Sequence, residues 1–130
     1  MDTQQEKQAV ESLLNKYAEA INAGNGSLMP NFYTQRAVFM PNGRKNISRN
    51  DLDRDSKNLF KKVAYSIEFA VQETTIDGNY AFVQAAAQTT ITKLATGEKT
   101  TKGSRDFFVL QKEQEHWKIF RYIFNNVNAG

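Results

Sequence analysis

Apolar residues near the start of the chain recur at Val10, Leu13, Leu14, Tyr17 and Ile21, a spacing that predicts an amphipathic helix. Thr3 and Glu6 read as its capping box, and Ala23-Gly24-Asn25-Gly26 as its end. Ser27 is expected to cap a second, short helix running to Phe32 or Tyr33, with Pro30 tolerated in its first turn. Ala37-Val38-Phe39-Met40 predicts a short strand closed by Pro41-Asn42-Gly43. Ser48 and Asp51 mark the start of a third helix, whose apolar side is Leu52, Leu59, Phe60 and Val63.

From Tyr65 onward the period falls from 3.6 to 2. Four strands are expected: Tyr65 to Ile76, Tyr80 to Leu94, Thr100 to Gln111 and His116 to Val127. Asp77-Gly78-Asn79 and Ala95-Thr96-Gly97 supply hairpin turns. Helices first and a long meander last predict an α+β fold in one domain over residues 1–130. Three N-terminal helices would pack on one face of a strongly curved antiparallel sheet. Such a cone is open at one end, where a pocket would sit.

The last strand is apolar on both faces. Trp117, Ile119 and Ile123 alternate with Phe120, Tyr122 and Phe124, so each face is expected to cover something. In the second long strand Ala81, Val83, Ala85 and Ala87 form a small apolar face. Together with Ile119 and Ile123, that face predicts a homodimer built through the outer side of the sheet. Gln84 and Gln88 alternate with Phe82 and Ala86, either as amides in a cavity or as a polar outer face.

Composition narrows the chemistry. The chain has 130 residues, no cysteine and one histidine, which removes disulfides and thiolate sites and argues against zinc or iron. No metal or organic cofactor is expected. His116 lies beside a turn and is expected to face solvent, and no serine has the strand-to-helix context of a nucleophile elbow. Asp51, Asp53 and Asp55 lack the glycine and terminal glutamate of a calcium loop. The net charge is +3: the stretch from Arg44 to Lys62 holds +4, with three aspartates interleaved, and the rest of the chain sums to −1. That pattern reads as a solvated helix face, so neither nucleic acid nor membrane is an expected partner. The N-terminal residues show no signal-peptide pattern, and a cytoplasmic location is expected.

Leu14-Asn15-Lys16-Tyr17-Ala18-Glu19-Ala20-Ile21-Asn22-Ala23-Gly24-Asn25, Phe32-Tyr33, Ala37 to Gly43 and Trp117-Lys118-Ile119 resemble the NTF2-like superfamily. Within it, the similarity is to SnoaL-like and ketosteroid-isomerase-like proteins. The resemblance implies the cone fold and places the family's oxyanion-hole phenol at Tyr17. It puts the family's carboxylate base at Met40, a thioether that cannot take a proton from carbon. It puts the family's protonated acid at Arg105, with Asp106 beside it. Arginine stays charged at pH 7, so steroid isomerisation is not expected.

The functional expectation is a small, largely apolar ligand held in the cone by Tyr17, Phe32, Met40, Phe60, Phe82, Arg105, Phe107, Phe120, Tyr122 and Phe124. An anionic or carbonyl group would approach Arg105 and Tyr17. One alternative is an isomerase, cyclase or dehydratase taking its base from Asp106 or Glu68. Another is an oligomerisation domain without a ligand.

Overall fold

The computed structural model describes residues 2 to 127. Its elements are α1 (Thr3–Asn22), a 3-10 helix (Gly26–Phe32), β1 (Tyr33–Met40), β2 (Ile47–Ser48), α2 (Arg49–Phe60), β3 (Val63–Asp77), β4 (Tyr80–Lys93), β5 (Lys99–Glu113) and β6 (His116–Val127). The strands form one curved, unclosed sheet in the order β2-β1-β6-β5-β4-β3. The three helices pack on one of its faces. The sheet is antiparallel except at one junction, where β1 runs parallel to β6. A parallel neighbour requires a long crossover, and here everything from β2 to β5 supplies it.

Helix α1 begins one residue earlier than its sequence signature suggests. Asp2 is the N-cap, in extended geometry, and forms the capping box with Gln5. Glu6 is thereby free to turn inward, where it accepts from Lys112 Nζ at 2.6 Å. The short helix has Asn25, not Ser27, at its N-cap, and that residue makes no side-chain cap. Ser48 does cap α2, accepting from the backbone N–H of Asp51. Gly26 lets the 3-10 helix approach α2: a Cβ there would meet the Lys57 backbone nitrogen at 2.9 Å.

Val10, Leu14 and Tyr17 of α1 are buried against Ala81, Val83, Ala85, Phe108, Leu110, Trp117, Ile119 and Tyr122. This overturns one expectation. The small face of β4 is not an outer face awaiting a second copy; it is the floor on which α1 sits. Phe82, Gln84 and Gln88 stand on the outside instead, and Gln84 donates to Gln72.

A second correction concerns β6. The β5–β6 ladder pairs Val109 with Arg121 but Leu110 with Ile119, leaving Phe120 as the extra residue of a bulge. The bulge resets the alternation. Trp117 and Ile119 before it, and Tyr122 after it, are all buried on the inner side. Ile123 is exposed on the outer side, and Phe120 packs there against Tyr80.

Candidate functional site

A cavity of about 310 Å³ opens between the concave face of the sheet, the end of α1 and α2. That volume lies at the lower end of the ~300–1,000 Å³ range of small-molecule sites. Alternation along the strands builds its wall. Strand β5 contributes Lys102, Ser104 and Asp106, β6 contributes Tyr122, Phe124 and Asn126, β4 contributes Thr89 and Ile91, and β3 contributes Tyr65 and Ile67. Tyr17 and Ile21 close it from α1, and Leu52, Ser56, Leu59 and Phe60 from α2. Phe39 of β1 stacks on Tyr122 at 5.0 Å and on Phe124 at 5.9 Å between ring centroids.

Asp106 is the one carboxylate on this lining among the described residues, and it is 3% exposed. Ser104 donates to its Oδ1 at 2.7 Å, and Tyr122 donates to its Oδ2. Burial pushes its carboxyl above the usual aspartate range, while the two donated hydrogen bonds pull the other way. The phenols are affected in the same sense. Tyr122 is held far above its ordinary value by burial and by the neighbouring Asp106. Burial also raises Tyr17, against the opposing effect of its hydrogen bond with Tyr33. The Tyr17 and Tyr33 hydroxyls are 2.5 Å apart, and either can donate.

At the mouth stand two cations, Arg44 and Lys102, with the amides of Asn42 and Asn126. The Asn126 backbone N–H donates to Asn42 Oδ1, which ties the turn after β1 to the end of β6.

Of the residues expected in the pocket, the structure brings Tyr17, Phe60, Tyr122 and Phe124 to the cavity wall. Phe32 stands behind Tyr17, edge to face at 5.4 Å, and is not on the lining. Met40 alternates with the lining residue Phe39 and pairs with the exposed Ile123, so it belongs to the other face. Phe82, Arg105, Phe107 and Phe120 also lie on the outer side. Arg105 is solvent-exposed and its Nε donates to Asn125 Oδ1 at 3.0 Å, so the inward register assigned to it is off by one residue. Glu68 is exposed, and it pairs with the outer-face residue Gln88.

A signal for the correct register was present. The uninterrupted Ala81-Val83-Ala85-Ala87 face identifies the inner side of β4, and Ala85 pairs with Asp106, Ala81 with Leu110. Lys102 and Arg44 had no such signal, because a lysine in a strand and an arginine in a turn are ordinary surface residues.

A sequence model of the SnoaL-like domain matches residues 10–124. The chain belongs to the SnoaL-like family. Solved structures show the same NTF2-like fold around this SnoaL-like chain. A ketosteroid isomerase-like protein from Erwinia carotovora atroseptica superposes with a TM-score of 0.82 at 24% identity, covering 94% of this chain and 96% of that one. A conserved protein from Planctomyces limnophilus gives 0.87 at 12% identity, covering 95% and 99%. A protein of the NTF2-like family from Streptomyces avermitilis, provisionally named a dehydratase, gives 0.85 at 13% identity, covering 98% and 100%. At these identities the likeness is one of fold, and a fold of this kind hosts many activities. A search of curated proteins finds no match. Among the described residues no helix is long and apolar enough to cross a membrane, and no group of three or more His, Cys, Asp or Glu side chains is placed to hold a metal.

Proposed function

We propose that this SnoaL-like protein binds a small, largely apolar ligand in the cone, with a carbonyl or hydroxyl oxygen of the ligand set against Tyr17 and Asp106. The observation that carries this reading is a buried carboxyl in an otherwise mostly aromatic and aliphatic cavity, held in place by Tyr122 and Ser104. A carboxyl raised by burial is a hydrogen-bond donor over a wider pH range than an ordinary aspartate. Tyr33 is 1% exposed and has Tyr17 as its hydroxyl partner. Donation from Tyr33 leaves the Tyr17 hydrogen free for a ligand acceptor, which satisfies both phenols at once.

The test is calorimetric titration with cyclic aromatic ketones and naphthols, repeated on Tyr17→Phe. Saturable binding, weakened about tenfold in the variant, is expected for loss of one buried hydrogen bond. If no member of the set binds, the cavity is packing space and the oligomerisation-domain reading takes over.

A second reading, an enzyme of isomerase, cyclase or dehydratase type, is favoured by the same carboxyl. Asp106 faces the cavity, so it could take a proton from a ligand carbon when ionised, or give one to a ligand oxygen when protonated. Turnover of a bound ketone that stops in Asp106→Asn supports it; exchange of the ligand's α-hydrogens with solvent at the same rate in both proteins excludes it.

The outer face supports the second part of the proposal, a homodimer formed through it. Phe82, Phe107 and Ile123 are 36%, 44% and 47% exposed, and Phe107 and Ile123 are direct cross-strand partners. A cluster of this kind is larger than scattered surface hydrophobes require. Sedimentation velocity should give a dimer that becomes a monomer in Phe107→Glu/Ile123→Glu; a wild-type monomer at every concentration overturns it.

A further inference from the structure

We infer that the mouth of the cavity is an anion subsite formed by Arg44 and Lys102, so that the ligands of this cone are amphipathic carboxylates bound with the carboxylate outward. The inference rests on the proposed cavity-binding function and specifies its ligand class. Lys102, Ser104 and Asp106 occupy alternate positions on one face of β5, which makes a polar ladder from rim to floor. Four residues of strand separate its ends, about 13 Å of backbone. Between the ends the facing wall is apolar: Phe124, Phe39, Ile67, Ile91 and Phe60. The lining therefore has a buried acid at one end, cations at the other and hydrocarbon between.

The charge arrangement sets the direction of entry. An anion inserted first would arrive beside Asp106, which is already a reluctant anion. One left at the rim meets two cations instead. Neither Arg44 nor Lys102 is in an ion pair among the described residues. Asp51 and Asp55 share an adjoining hollow with Arg44, and each is paired with Arg54, at 3.5 and 3.3 Å. Arg44 also acts on the cavity wall itself, since its charge favours the ionised form of Tyr65 against the effect of burial. The Asn42–Asn126 hydrogen bond anchors the turn that carries Arg44 to the strand opposite.

The probe pair is 6-hydroxy-2-naphthoate and its neutral counterpart 6-hydroxy-2-naphthamide, titrated by calorimetry into the wild-type protein and Arg44→Gln/Lys102→Gln. Both substituted residues are exposed, so the variant should fold, and circular dichroism checks that it does. The wild type should prefer the carboxylate by about tenfold at low salt, and the preference should shrink as salt is added. In the variant the carboxylate-to-amide ratio should fall to about one. Equal binding of the two probes by the wild type, or a preference that survives in the variant, overturns the mouth subsite while the cavity reading stands. Failure of both probes to bind overturns the subsite and the cavity reading together.

Discussion

Tyr122 and Asp106 are diagonal neighbours across the β5–β6 ladder, and the phenol donates its hydrogen to the carboxylate inside the cone. The ladder pairs Asp106 with Phe124 and Phe108 with Tyr122, so the contact depends on the bulge that returned Tyr122 to the inner face. A two-strand register thus creates the polar floor of the cavity. Tyr122 is further held by stacking on Phe108 at 4.0 Å, which fixes the ring that presents the hydroxyl.

Tyr122→Phe removes one of the two hydrogen bonds that favour the ionised form of Asp106. The carboxyl should titrate higher than in the wild type, read by carbon NMR of the Asp106 side chain. Stability should fall by about 1–2 kcal/mol, since the ring still fills its space while a buried acceptor loses a partner. An unchanged Asp106 titration would mean that the hydroxyl does not govern the acid.

Asp106 also makes stability pH-dependent. Its folded-state pKa lies above the ordinary 3.8, so folding takes up a proton between the two values. The associated stabilisation is fully present below 3.8 and is lost as pH rises through the folded-state pKa. Asp106→Asn keeps an acceptor for Tyr122 but carries no charge. Its stability relative to the wild type should therefore improve as pH is raised from about 4 to about 8, followed by urea unfolding at each pH. A difference that is flat with pH would show that Asp106 is not perturbed by folding.

At the far end of α1, the buried Glu6 pairs with the partly buried Lys112, which also lies over the Trp117 ring at 5.4 Å. Lys112→Ala leaves the Glu6 charge without its partner and should cost about 3 kcal/mol. Glu6→Leu/Lys112→Met should cost less than that single change, because no uncompensated charge remains. Thermal unfolding of the two proteins decides it, and a double variant less stable than Lys112→Ala contradicts the account.

The β5–β6 hairpin turns through Gln114 and Glu115, both with positive φ, at 53° and 68°. Neither residue type favours that region, whereas glycine does. Glu115→Gly should raise stability by about 1 kcal/mol, measured by denaturant unfolding. A loss would mean that the Glu115 side chain contributes more than its backbone strain costs.

The sequence by itself determined the α+β class, the long strands and the order of the elements apart from the two-residue β2, because these follow from local signals. Periodicity, capping residues at Ser48 and Asp51, and turn glycines act over a few residues and need no knowledge of the rest of the chain. His116 to Val127 is the strand that was expected. Tyr17, Phe60, Tyr122 and Phe124 were also legible as cavity residues, through helix periodicity and family resemblance. Only the tertiary structure decided which faces of β5 and β6 point inward. Both faces of β5 carry aromatics, Phe107 on one and Phe108 on the other, so alternation alone leaves the choice open. The Phe120 bulge then puts Trp117 and Ile119 on the same inner face as Tyr122 and Phe124, which unbroken alternation cannot do. A one-residue insertion into a ladder has no local signature, since it exists only relative to the partner strand. For the same reason Arg44 and Lys102 became neighbours of one opening only when the turn after β1 was pinned to the end of β6.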